Sequence, residues 1–199
     1  MGGKLIRRQY FCLCEGQQEE LYFARLSKLL KTNIRQVKFT TKQGLPGNID
    51  RHCRGIQYDK AIVFDHDGNP EAFLKALNTC IKTKCAHAYS NRNFDLWLLL
   101  HKQSFTGYVS ENSAYVNMIR SVFNLDSEAD IKKEAVQKRL LEQISLTDVK
   151  KAICHAKRIR ELKLPGDGKR LGTTTYYDNP DLSIHEFIEK VLSECGETI

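Results

Sequence analysis

Ala61-Ile62-Val63-Phe64-Asp65-His66-Asp67 decides the fold. Four apolar residues run without a break into two carboxylates. An apolar run of this length predicts a strand buried on both faces, as in a parallel sheet. Asp65 and Asp67 stand two apart, so on a strand their side chains share one side and His66 takes the other. Gly68-Asn69-Pro70 stops the strand. The carboxylates are therefore expected at the carboxyl end of a buried strand, where open α/β sheets carry their sites. Neighbouring carboxylates repel unless a positive charge lies between them, and hard divalent cations take oxygen ligands of this kind.

The same arrangement recurs upstream. Residues 9–14 predict a first strand that ends in Glu15-Gly16. Residues 17–31 follow as an amphipathic helix, with Leu21, Phe23, Leu26, Leu29 and Leu30 on its apolar side. Gly16 permits the tight turn between them, so Glu15 also falls at a strand's carboxyl end. Residues 34–40 alternate as a second strand, 41–47 form a loop, 49–57 a short helix, and 61–64 the central strand. Residues 71–82 predict a helix, 85–89 a strand, and 94–100 a short buried helix, with Ser90-Asn91 opening the turn before it as a natural cap. Alternation of this kind predicts an α/β core with a largely parallel sheet. Beyond Lys102 the pattern turns helical, at 114–123, 131–144, 148–162 (capped by Thr147-Asp148) and 182–192. Residues 164–179 read as a long basic loop. The expected organisation is a core over residues 1–103 with a helical region over 104–199 packed on it as one unit.

The 199 residues carry a net charge of +7, with 41% apolar and 28% charged residues, the composition of a soluble globular protein whose charge fits either a polyanionic partner such as nucleic acid or simply a basic surface. Seven cysteines form no CxxC pair, and Cys85 and His87 lack a second pair at zinc spacing. No signal peptide, myristoylation signal or membrane span is read, so reduced thiols in the cytoplasm are expected.

Three stretches resemble a known family. Cys14-Glu15-Gly16-Gln17-Gln18-Glu19-Glu20-Leu21-Tyr22-Phe23 resembles the opening motif of RloB-like proteins. Val63-Phe64-Asp65-His66-Asp67 resembles their central aspartate motif. Ser90-Asn91-Arg92-Asn93-Phe94-Asp95-Leu96-Trp97-Leu98-Leu99-Leu100-His101 resembles their most distinctive stretch. Residues 152–157 and Asn179-Pro180 also fit, so the resemblance spans nearly the whole chain in order. Asp95 stands where the family carries Glu, and Asn93 where it carries a small residue. The resemblance implies a Toprim-like core and a metal-dependent endonuclease of bacterial anti-phage defence, acting on DNA or on RNA such as tRNA beside an AAA-type ATPase. It implies Glu15, Glu19, Asp65 and Asp67 as catalytic carboxylates. Of these, Glu15, Asp65 and Asp67 would hold Mg²⁺ or Mn²⁺, which would acidify water and offset phosphate charge.

Around these acids, Asn91, Lys157, Arg160, Lys169 and Arg170 are candidate phosphate contacts, and Asp95 and His101 candidate supports for the acids. Plainer roles compete for each. Asn91 would cap a helix, His101 would be a structural histidine, and the basic side chains would form a solvated face. His66 would pack or cap, and Glu20 would be a surface charge. A second function class is a non-catalytic nucleic-acid-binding or regulatory subunit of an ATPase complex, which predicts loss of a core acid. Glu15, Asp65 and Asp67 are all present. No Walker-type phosphate loop occurs.

Overall fold

The computed structural model describes residues 6–32 and 35–199. Among them, five strands form one sheet: β1 (Ile6–Cys14), β2 (Arg35–Gln43), β3 (Lys60–Asp65), β4 (Ala86–Asn91) and β7 (Asp181–Leu182), in the order β2-β1-β3-β4-β7. The first four are parallel, and β7 joins β4 antiparallel, with Ser90 opposite Leu182 and Asn91 opposite Asp181. The α/β fold with a mostly parallel sheet is thus as the sequence predicts. Strand alternation builds two cores. Tyr10, Cys12, Cys14, Ala61, Val63 and Ala88 face one side; Phe11, Leu13, Ile62, Phe64 and Tyr89 face the other.

The first side is covered by α1 (Gln17–Leu29), α4 (Phe94–Leu100) and the later helices α5 (Ser113–Val122), α6 (Glu134–Glu142), α7 (Leu146–Glu161) and α8 (Ile184–Glu194). The second is covered by the short α2 (Ile49–Cys53) and by α3 (Pro70–Thr83). Trp97 and Leu98-Leu99-Leu100 are fully enclosed, because α4 lies between the sheet and the later helices. The apolar core on this side continues from Tyr10 to Cys195. Ile34, expected to open the second strand, lies outside the described residues.

The structure corrects four expectations. Ser90-Asn91 do not open a turn; they remain in β4 because β7 pairs with them. The cap of α7 is Ser145, not Thr147-Asp148. The Ser145 hydroxyl accepts from the Asp148 amide at 3.2 Å, and Asp148 Oδ2 accepts from the Ser145 amide at 2.9 Å, a reciprocal box that fills both donors. Residues 164–179 are not all loop, since β5 (Lys169–Leu171) and β6 (Thr174–Tyr176) pair as a hairpin. Finally, Leu182 belongs with Asp181 to a strand rather than to the closing helix. Ser183 fastens that junction: its hydroxyl donates to the His87 carbonyl at 2.9 Å and accepts from the Tyr89 amide at 3.1 Å.

All seven cysteines are free thiols, with Cys154 exposed. No helix among the described residues is long and apolar enough to cross a membrane.

Candidate active site

β1 and β3 are neighbours and parallel, so their carboxyl ends lie side by side. Glu15 leaves the end of β1 and its Oε2 accepts the Asp65 amide, at the end of β3, at 2.8 Å. α1 begins two residues after Glu15 and sets buried Glu19 in its first turn, where Oε2 accepts the Gly16 amide at 3.1 Å. Asp65, at the end of β3, faces the start of α4, where the nearby Phe94 amide favours its charged form. Strand ends and helix starts therefore bring Glu15, Glu19 and Asp65 into one neighbourhood.

Asp67 reaches it differently from the sequence expectation. Its φ is 46°, a left-handed turn residue beyond the end of β3, so strand alternation does not orient it. Its amide and that of His66 donate to the Arg92 carbonyl, at 2.9 and 3.1 Å. The Asp67 carboxylate accepts from Asn112 Nδ2 at 2.9 Å. Asn112 in turn accepts from Arg92 Nε at 3.1 Å. His66 packs its ring on Phe73, centroids 4.9 Å apart, and accepts the Gly68 amide on Nδ1, as a packing and capping residue does.

The charges interact. Burial pushes the Glu15 carboxyl up; the Asp65 amide opposes this and the Asp67 charge adds to it. Burial raises Glu19 too, opposed by its amide bonds and by Lys132, and reinforced by Glu15. Asp65 is held well above the usual carboxylate range, by burial first and then by Glu19, Asp67 and Glu15. These are the effects expected of clustered acids with few counter-charges. All the donors are hard oxygens, which suit Mg²⁺ or Mn²⁺. Among the described residues no three His, Cys, Asp or Glu side chains form a ready-made ion cage. Glu15, Glu19 and Asp67 are each turned to an amide donor of the chain itself.

Asp95 lies directly behind the acids. Its buried carboxylate accepts from Gln18 Nε2 at 3.0 Å, from Asn93 Nδ2 at 3.4 Å, and pairs with Lys132 at 3.5 Å. It thereby ties α4 to the first turn of α1, beside Glu19. His101 does not support the site. It sits in the core between Tyr22 OH, 3.1 Å from Nε2, and the Trp97 carbonyl, 2.9 Å from Nδ1.

Most of the expected phosphate contacts are engaged elsewhere. Asn91 is buried and donates to the Tyr177 carbonyl at 3.3 Å. Arg160 belongs to a buried knot: Nε donates to Asp181 at 3.0 Å, Nη2 to Tyr89 OH at 2.8 Å, and Nη1 to Glu186. Asp181 also accepts from Tyr89 OH at 2.5 Å and the Tyr177 amide at 2.9 Å. Lys157 pairs with Glu189 and Lys169 with Asp178, both partly exposed. Arg170 is exposed on β5 and makes no ion pair among the described residues. Sequence reasoning missed Gln18, Arg92, Asn112 and Lys132. Arg92 lies inside the Ser90–His101 stretch, whereas Lys132 follows Ile131 with no local signal of its own.

The family description "RloB-like protein" matches residues 10–191. No curated protein and no solved structure matches the chain. The chain belongs to the RloB-like family.

Proposed function

From membership of the RloB-like family and from its acid cluster, we propose that this chain is a divalent-metal-dependent endonuclease. The observation that carries the reading is the convergence of Glu15, Glu19 and Asp65 at the carboxyl ends of β1 and β3, joined by the 2.8 Å bond from the Asp65 amide to Glu15. Asp67 borders the same point. Glu15, Asp65 and Asp67 would hold Mg²⁺ or Mn²⁺, with Glu19 as a fourth carboxylate. The cation, when bound, would acidify water and offset charge on the phosphate.

The chain's own groups have distinct tasks. Glu19, buried and with its carboxyl pushed up by that burial, is placed for proton transfer at the leaving oxygen. Lys132, whose side chain is 62% exposed, brings a cation to the rim from the helical region, where it would meet a phosphate. The Asp95–Gln18 bond fixes α1 against α4 and so holds Glu19 in position. By the same family resemblance, we extend the proposal to a role in anti-phage defence beside an AAA-type ATPase. The second reading, a nucleic-acid-binding regulatory subunit, is favoured by one observation: Glu15, Glu19 and Asp67 each already accept from an amide of the chain.

The test is cleavage of plasmid DNA and bulk tRNA with Mg²⁺ or Mn²⁺, by the wild type and by Asp65→Ala and Glu15→Ala. Metal-dependent cleavage lost in both variants supports the nuclease. Absence of cleavage with the ATPase partner present supports the regulatory reading.

A further inference from the structure

Two hollows flank the end of β3, and the acid cluster separates them. The first lies on the β1 side, measures about 350 Å³, and opens directly from Glu15 and Asp65. Its floor is Phe64. One wall is the face of α3 that carries Ala72, Lys75, Ala76 and Thr79, at helical spacing; the other is the turn Leu45-Pro46-Gly47-Asn48. The small residues on α3 keep it open. Leu45 leaves 67% of its surface exposed at the rim. Asn48 occupies the residue before α2 yet makes no cap bond with its side chain, so its amide is unspent beside an apolar slot.

The second hollow lies on the β4 side and has the same size, about 350 Å³. It is lined by His66, Gly68, Arg92, Tyr108 and the Asp178-Asn179 loop. Tyr108 is 72% exposed, an aromatic face with nothing stacked on it among the described residues. Arg92 supplies a guanidinium whose Nε and Nη1 donate to Asn112 and to the Ser110 carbonyl, leaving Nη2 toward the hollow.

Each volume is at the lower end for small-molecule sites, roughly 300–1,000 Å³, which suits one nucleotide rather than a helix. A largely apolar hollow with a lysine and an amide at its edge, opening on Glu15 and Asp65, fits a base, and so does an exposed tyrosine beside an arginine. We propose that this protein binds a single-stranded nucleic acid threaded across the carboxylates, with one unpaired nucleotide seated in the Leu45–Ala72 hollow and its neighbour stacked on Tyr108. The phosphate between them lies over Asp65 and Asp67. A continuous duplex keeps its bases stacked on one another and leaves both hollows unfilled. The inference rests on the acid cluster being the reactive centre, and it names the substrate class of that centre.

Binding is measured with Ca²⁺ in place of Mg²⁺, so that a hard cation offsets the carboxylates facing the phosphate and the readout needs no cleavage. Fluorescence anisotropy compares labelled single-stranded RNA and DNA ten-mers with blunt duplexes of the same sequence. The single strand is expected to bind at least tenfold tighter. Ala72→Trp, which fills the first hollow from its exposed mouth, and Tyr108→Ala are each expected to weaken it by roughly tenfold, the scale of one lost base stack, with duplex binding unchanged. Lys75→Gln repeats the first arm if Ala72→Trp lowers the melting temperature. Preference for RNA over DNA would then identify the strand. Equal or tighter duplex binding, no measurable binding, or no effect of either hollow's variants overturns the proposal. Cleavage without single-strand preference would sink this inference and leave the nuclease standing; preference without cleavage would do the reverse.

Discussion

Arg160→Leu separates a strut from a ligand contact. Asp181 has a side chain with no exposed surface, and Arg160 is only 23% exposed. Removing the guanidinium leaves a buried carboxylate with two remaining donors, Tyr89 OH and the Tyr177 amide. Breaking a buried ion pair from one side costs about 3–5 kcal/mol. The surviving bonds and the partial exposure of Arg160 place this case near the lower figure, about 3 kcal/mol. For a chain of this size each kcal/mol moves the melting temperature by about 2–4 °C, so a fall of about 6–12 °C is expected in a calorimetric scan. Raising NaCl should change that fall little, because buried pairs are poorly screened. Adding Asp181→Asn to Arg160→Leu should recover much of the loss, since no orphan charge then remains. The reasoning is refuted if Arg160→Leu melts within about 1 °C of wild type but binds nucleic acid more weakly. Arg160 would then be the phosphate contact that its helix suggests.

Other outcomes follow from the same geometry. Burial lowers His101 to about 4 and His185 to about 3. As pH falls below the ordinary imidazole value of 6.5, the unfolded chain gains protons that the folded one refuses, so stability should decline from there through pH 4. For His101 alone the ceiling is about 3 kcal/mol. A urea midpoint series for His101→Gln should show a shallower slope in that window, and an unchanged slope would contradict the assignment. Asp65→Asn should raise the melting temperature in EDTA by relieving repulsion among the acids, and should abolish the upward shift that Mg²⁺ gives the wild type by mass action. An equal Mg²⁺ shift in both would remove Asp65 from the metal set. Gly68 has φ of 72°, and a Cβ there would lie 2.9 Å from Arg92 Nη2. Gly68→Ala should therefore cost about 1 kcal/mol and disturb the Arg92–Asn112–Asp67 chain, read as a chemical-shift change at the Asn112 amide.

Local signals explain which parts of the fold were legible. Residues 61–64 announced a central strand because a two-sided burial leaves no polar position in the run. Glu15 and Asp65 were placed correctly because a strand end followed by glycine or by a helix start fixes a side chain within a residue or two. Asp67 was misplaced in orientation, since a left-handed turn residue escapes the two-residue period. Arg160 and Asn91 were misjudged for a different reason. Their partners, Asp181 and Tyr177, lie 21 and 86 residues away, Asp181 on a two-residue strand and Tyr177 in the irregular segment before it, neither long enough to leave a hydrophobic pattern. Lys132 and Asn112 were invisible because nothing in their own segments says that tertiary packing will carry them to the acids. His101 needed only its buried neighbours, Tyr22 and Trp97, to become a core residue.

The pairing of β7 with β4 bears on the order in which synthesis completes the molecule. The ribosome releases Glu15 and Asp65 early, but the strand beside them keeps an open edge until Asp181, Leu182 and Ser183 emerge. Until then the Tyr89 hydroxyl lacks its acceptor Asp181 and the end of β4 its antiparallel neighbour, and the apolar face that α8 covers is bare. Contacts between such distant segments form slowly. A chain halted by a stalled ribosome or clipped by a protease before residue 181 would thus carry every acid of the site and lack the scaffold that holds them. Its fate would be aggregation or degradation, and no partly built acid cluster would persist in the cell.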